Sequence, residues 1–226
     1  MPSRVERLRI AVGTRSAHKL EEIRGILGVR EDIELLGLDD LGIPPSAEEE
    51  GVEVFDTFVG NARAKAAFYA SRTGLPTLAD DSGLAVDALG GAPGVRSKRF
   101  SGRTDLSGAA LDRANNELLL ERLGDTPDER RGARFVCVAA LAFPNGRTVC
   151  AIGTVAGRIA REPRGRGGFG YDPLFLLPDL GVTFSELSPD EKNRRSHRAR
   201  AFRALAAHVV GLLKGGLTIR GPFDIL

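Results

Sequence analysis

The sequence predicts an α/β protein built on a mixed sheet, and three observations carry that prediction. Strand-like apolar runs alternate with helix-periodic segments in the N-terminal half, the pattern of strands joined by crossover helices. Two long apolar runs, Ala133 to Phe143 and Thr148 to Val155, flank Pro144-Asn145-Gly146, a turn that makes them an antiparallel hairpin and so makes the sheet mixed. A further run, Thr77-Leu78-Ala79, stops at Asp80-Asp81-Ser82-Gly83 before the apolar pattern resumes at Leu84-Ala85-Val86.

The elements follow in order. Leu8 to Val12 alternates as a first strand, Leu20, Ile23 and Leu27 recur at helical spacing up to Gly28, and Ile33 to Leu38 is a second strand. The connection Gly13-Thr14-Arg15-Ser16-Ala17-His18-Lys19 is rich in donors. A helix N-terminus presents N–H groups and a positive dipole end to anions, and Lys19 adds a charge; equally, Ser16 suits an ordinary N-cap. The acids of Ser46-Ala47-Glu48-Glu49-Glu50-Gly51 are either solvated or part of a metal site. After Thr57, the positions Phe58, Ala62, Ala66 and Tyr69 mark a helix that ends at Gly74 with Pro76 just beyond, and Lys65 lies on it.

Gly90-Gly91-Ala92-Pro93-Gly94 is a rigid turn leading into the basic loop Arg96, Lys98 and Arg99. Ser107 or a neighbour caps the next helix, with Leu111, Ala114, Leu118 and Leu119 on its apolar face, widened by Leu120 and Leu123. Past the hairpin, Arg164-Gly165-Arg166-Gly167-Gly168-Phe169-Gly170-Tyr171-Asp172-Pro173 combines four glycines, which let backbone approach a ligand, with two aromatic faces on which a base could stack. The alternative is a flexible loop with buried aromatics. Ser188-Pro189-Asp190-Glu191 carries a serine cap, a first-turn proline and a capping-box glutamate. The helix it opens has Phe202, Leu205, Val209 and Leu212 as its stripe, and Lys192 and Ser196 one turn apart on a shared face.

Composition narrows the classes. With 226 residues, 42% hydrophobic and 27% charged, the chain suits a soluble globular protein. A formal charge of +2 gives no global field for nucleic acid or an anionic membrane. Neither a signal core nor a membrane-length apolar run is present, which predicts a cytoplasmic protein. Cys137 and Cys150 lie in apolar runs and read as core thiols, and the three histidines form no zinc spacing. Without repeats or a linker, 1–226 reads as one domain, with 1–8 and 215–226 as terminal extensions.

The chemistry centres on Asp80-Asp81. Adjacent carboxylates repel unless a cation or a shared proton offsets the repulsion, and Mg2+ fits because it takes one or two carboxylates and completes its shell with water and phosphate oxygens. Successive strand residues point to opposite faces, so one of the pair faces a cleft while the other is held by backbone or a helix. Taken alone, the stretch is equally a polar turn.

Taken together, these motifs resemble the inosine/xanthosine triphosphate pyrophosphatases, which remove non-canonical purine nucleotides. The resemblance runs from about Arg9 to Leu213. It rests on Ala79-Asp80-Asp81-Ser82-Gly83-Leu84-Ala85-Val86 with Gly90-Gly91-Ala92-Pro93-Gly94, on Gly167-Gly168-Phe169-Gly170-Tyr171-Asp172-Pro173, and on Glu191-Lys192 with Ser196-His197-Arg198. It implies an elongated mixed sheet with flanking helices, two lobes around a central cleft, a homodimer, and Mg2+-dependent hydrolysis of ITP, dITP and XTP to the monophosphate and pyrophosphate. Residue by residue, it implies Asp81 as catalytic base and metal ligand with Ser82 beside it, and Glu49, or by loop length Glu48, as the second metal carboxylate. Thr14, Arg15, Ser16, Lys19 and Lys65 then serve the phosphates, and Phe169, Gly170, Tyr171, Asp172, Lys192, His197 and Arg198 the base. Neither nucleic acid nor membrane is implied as a partner.

Several positions depart from the family pattern. Ser16 stands for asparagine, Gly60 for glutamate and Arg96 for tyrosine, and Val52 to Asp56 looks inserted. Rival readings are a pyrophosphatase for modified pyrimidine or methylated nucleotides, a non-catalytic nucleotide sensor and a nucleic-acid-binding module.

Overall fold

The computed structural model describes residues 7–28 and 31–214, with side chains to residue 209. The extension 215–226, the first six residues of the extension 1–8 and the side chain of Leu212 lie outside what the structure describes. Among the described residues, seven strands form one sheet of order β2-β1-β3-β4-β5-β6-β7. Strands β1 (Leu8–Val12) and β2 (Ile33–Gly37) pair in parallel, Leu8 opposite Ile33, and β3 (Thr77–Val86) runs parallel on the other side of β1. Helices α1 (Ala17–Leu27) and α2 (Phe58–Thr73) supply the crossovers. Strands β4 (Gly132–Ala142) and β5 (Thr148–Ile159) are joined by the turn at Phe143–Arg147, and the short β6 (Phe175–Leu177) and β7 (Val182–Thr183) follow antiparallel. The sheet is therefore mixed and open, as the hairpin required.

The chain divides into two compact units, the first drawn from the described residues of Met1–Asp81, Val138–Gly153 and Arg198–Leu226, the second from Ser82–Cys137 and Thr154–His197. In the first unit, Ala62, Ala66 and Ala70 recur every four residues along α2 and lie against Ala79, Val138, Ala140 and Ala142. Small side chains on both surfaces let the helix sit close to the strands, and that closeness brings the start of α2 to Asp81. The second unit packs an aromatic core: Phe135, Phe175 and Phe184 have ring centroids 4.4 to 5.8 Å apart, and Leu84, Leu119, Leu123 and Tyr171 pack with them. Cys137 is fully buried, and burial pushes the half-buried Cys150 thiol up to about 11, as core thiols require.

Three expectations are corrected. Strand β3 does not stop at the carboxylates but runs through them to Val86, because side chains of three helices answer their charge. The apolar face assigned to helix α3 (Gly108–Leu123) is partly polar: Asn115 and Asn116 are buried beside Leu119 and Leu123, while Leu111, Ala114 and Leu118 are only half-buried. The helix opened by Ser188 is two helices. Helix α4 (Pro189–Arg195) has the predicted capping box, but Ser196 takes an extended backbone and α5 (His197–Lys214) starts afresh, so Lys192 and Ser196 do not share a helix face. Phe202 and Leu205 of α5 are buried as expected.

Gly157 on β5 tests the packing. A β-carbon there would lie 2.5 Å from the Leu176 carbonyl oxygen and 2.6 Å from the Phe175 ring, so the β5–β6 pairing would have to part. Gly157→Ala is expected to cost about 2 kcal/mol or more, read as a fall in Tm of about 5 °C in a chain of this size.

Candidate active site

The first unit holds a dense charge cluster on β3. Asp80 is fully buried, and its Oδ2 is 3.2 Å from Lys19 Nζ of α1 and 3.1 Å from Arg198 Nη2 of α5. The Arg198 Nη1 goes to Glu22 at 2.5 Å. Burial alone would push the Asp80 carboxyl up, but Lys19, Arg198 and Lys65 outweigh it and hold the group well below the usual carboxylate range.

Asp81 has the opposite balance. Its Oδ2 accepts a hydrogen bond of 3.0 Å from Asn61 Nδ2 in the first turn of α2. Burial is the largest influence and pushes its carboxyl up, against the pull of Lys65, Lys19 and the Asn61 bond. The neighbouring carboxylates are thus driven apart, one locked as an anion and the other made more basic, which is how acid–base roles separate at a site. Lys65, read from sequence as solvated by default, pairs with Glu53; burial lowers its affinity for a proton, but Glu53, Asp80 and Asp81 outweigh that and raise it.

The expected phosphate loop is an N-capped turn. Ser16 Oγ accepts the Lys19 N–H at 3.4 Å and Thr14 Oγ1 the Ser16 N–H at 3.2 Å. Arg15 is turned to the loop beyond β2: it donates to the Ile43 and Pro44 carbonyls at 2.8 Å and forks onto Glu49 at 3.1 and 2.7 Å. Glu49 is held below the usual range first of all by Arg15, and burial with the adjacent Glu49 pushes Tyr69 up to about 12. Glu48 bonds Arg72 at 2.8 Å. The two candidate metal carboxylates are therefore engaged by arginines, whereas Glu53 stands in the lysine–aspartate cluster.

The second unit gathers the expected base residues. Asp172 Oδ2 accepts from Lys192 Nζ at 2.5 Å and from the Phe169 N–H at 2.8 Å, and Lys192 Nζ stands 4.6 Å from the Phe169 ring centroid. Gly168 is obligatory at this turn: its φ is +73°, and a β-carbon would sit 2.2 Å from Asp172 Oδ2. Tyr171 is anchored, its hydroxyl donating to the Ser97 carbonyl at 2.8 Å. His197 is buried and stacked on Phe135 at 4.5 Å. Ser82 follows Asp81 on β3. Arg198, the remaining residue of the expected base group, belongs to the first unit and bonds Asp80 and Glu22.

The profile of the Ham1 family matches residues 10–208. The chain belongs to the Ham1 family. A dITP/XTP pyrophosphatase of Nocardia farcinica is 50% identical over 208 residues, covering 90% of this chain and 96% of the relative. One of Frankia alni is 49% identical over 200 residues, covering 88% and 96%. A solved HAM1 protein from Coxiella burnetii superposes with a TM-score of 0.76 at 38% identity, covering 90% of this chain and 99% of the other.

Within this Ham1 sequence, the segment 52–56 packs on the start of α2 and supplies Glu53, which the sequence pattern did not single out. A β-carbon on Gly60 would lie 2.8 Å from the Phe55 β-carbon, so with Phe55 in this place position 60 has room only for glycine. Asn61 bonds both the N–H and the carbonyl of Phe55, at 2.9 and 3.1 Å, which fixes the amide it offers to Asp81. Glu53 escaped notice because a lone acid in a loop has no pattern. Asn61 was readable only as a polar residue on the apolar side of a helix.

Removing the Asp80 charge should show how much rests on it. Its carboxyl is depressed in the folded state, so its contribution is present above the unfolded value near ~4 and is lost as pH falls below it. Asp80→Asn is expected to destabilise by about 3 kcal/mol at pH 7. The Tm gap from the parent protein should stay constant above pH ~5 and narrow below ~4.

Proposed function

We propose that this chain hydrolyses dITP, ITP and XTP to the monophosphate and pyrophosphate, removing them from the nucleotide pool. The observation that carries the reading is Asp81: a buried carboxylate made more basic by its surroundings, oriented by Asn61, beside Lys19 and Lys65. A carboxylate near lysines orients and deprotonates water, while the lysines offset charge on phosphoryl oxygens. The names of the Nocardia and Frankia relatives support the same chemistry. Asp81 takes the proton of a water that attacks the α-phosphorus, and pyrophosphate leaves.

The donor set suits Mg2+. Among the described residues no three metal-ligating side chains gather, but Mg2+ ordinarily takes only one or two protein carboxylates and fills its shell with water and substrate phosphates. Asp81 and Glu53 would hold it, in place of the Glu49 expected from sequence. When bound, it neutralises charge on the phosphates. Lys19 pairs with Asp80, so the lysine that can turn to a phosphate without exposing a buried carboxylate is Lys65, by exchanging Glu53 for substrate.

The base is assigned to the second unit. Phe169 offers a ring face, and Lys192 and His197 offer donors to the keto oxygen of hypoxanthine or xanthine, where adenine presents an amino group and meets donor with donor. A site built on such bonds discriminates by ~10⁴ because the wrong base leaves buried polar groups unpaired. Arg198 is assigned to holding Asp80. The reading includes a homodimer, as the family resemblance implies, and the cytoplasmic setting and single domain expected from the sequence; sedimentation at working concentration checks the dimer.

Pyrophosphate release should be measured from dITP, XTP, dATP, dGTP and pyrimidine triphosphates with Mg2+. Fast release from the first two, reduced about 10³-fold or more by Asp81→Asn, is expected, since the loss of a general base costs 10²–10⁴-fold. Preference for a pyrimidine, or binding without release, would overturn the reading. Chelating the metal should abolish release, and Mg2+ should restore it. Glu53→Gln should raise the Mg2+ concentration needed for half-maximal rate, while Glu49→Gln should leave it unchanged.

A further inference from the structure

Helix α3 carries a polar pair that the proposed reaction does not use. Asp112 and Asn116 are one helical turn apart on one face and close on a single residue of the aromatic loop. Asp112 Oδ2 accepts the Gly170 N–H at 2.8 Å, and Asn116 Nδ2 donates to the Gly170 carbonyl at 2.9 Å. The N–H belongs to the peptide joining Phe169 to Gly170, and the carbonyl to the peptide joining Gly170 to Tyr171. Two successive peptide planes are therefore fixed from one helix, and Gly170 between them adopts a φ of +61° that other residues rarely take. Beyond one plane lies the Phe169 ring against Lys192; beyond the other, Tyr171 anchored on Ser97.

Burial shows that the arrangement is held in place. Asn116 is 6% exposed among Leu119 and Leu123, where an amide without its hydrogen bond would be costly. Its neighbour Asn115 treats a different segment the same way, donating to the Lys98 carbonyl at 3.2 Å and accepting the Ser101 N–H at 2.8 Å.

We propose that Asp112 and Asn116 are positioning residues for base selection, setting the plane of the Phe169 ring and the reach of Lys192 by clamping Gly170. The proposal rests on the reading that this loop meets the base. With the clamp broken, the loop samples other peptide orientations, so base affinity and base discrimination fall together while the chemistry on β3 is untouched.

The test compares kcat and KM for dITP and dATP in the full chain and in Asp112→Ala, Asp112→Asn and Asn116→Asp. Asp112→Ala is expected to raise KM for dITP about tenfold and lower the dITP:dATP ratio of kcat/KM about tenfold, with kcat nearly unchanged, as loss of one charge-assisted hydrogen bond predicts. Asp112→Asn keeps an acceptor oxygen and should restore most of the ratio. Asn116→Asp turns an oxygen toward the Gly170 carbonyl and should behave like Asp112→Ala or worse. Asp112 is only half-buried, so its alanine variant decides the matter even if the Asn116 variant does not fold. A folded Asp112→Ala protein with unchanged KM and unchanged ratio overturns the proposal while the substrate reading stands. A parent protein that fails to prefer dITP removes the substrate reading first, and this proposal with it.

Discussion

The buried charge of Asp80 is the constraint on which the rest of the first unit depends. A strand that carries two adjacent carboxylates into the interior is stable only if cations meet them, and they come here from α1, α2 and α5. Lys19 is presented by the first turn of α1 after the Ser16 cap, and Arg198 by the first turn of α5 after the break at Ser196. Moving either helix would strand a charge, so the cluster fixes the two helix starts as firmly as the apolar core does. Asp81, which accepts the Asn61 amide, is pushed up mainly by burial and becomes the more basic of the two.

The second unit uses the same device on a smaller scale. Asp172, buried, meets Lys192 and at the same time accepts the backbone N–H of Phe169, so one carboxylate ties a helix, a loop and an aromatic ring together. The glycines around it are dictated by space as much as by turn geometry, since Asp172 occupies the position a side chain at 168 would need. Each unit is thus organised around a buried aspartate paired with a lysine, Asp80 with Lys19 and Asp172 with Lys192.

Much of this was legible in the sequence. Apolar periodicity located most strands and helices, the hairpin turn gave the mixed sheet, and Ser-Pro-Asp-Glu marked the start of α4. What could not be read arose from contacts distant in sequence. Strand β3 was expected to break because local pattern shows two charges but not the cations that arrive from Lys19 and Arg198. The helix break at Ser196 has no glycine or proline to announce it. Asn115 and Asn116 lie at apolar spacing yet are polar, and only the loops they hold explain their burial. The family pattern pointed to Glu49, or by loop length Glu48, and could not show that Arg15, 34 residues away in sequence, forks onto Glu49.

The central claim is that Asp81 delivers water to the α-phosphorus. Hydrolysis of dITP in water enriched in oxygen-18, followed by mass spectrometry of both products, tests it most directly. One labelled oxygen is expected in the deoxyinosine monophosphate and none in the pyrophosphate. Label in the pyrophosphate would place the attack at the β-phosphorus and contradict the role given to Asp81.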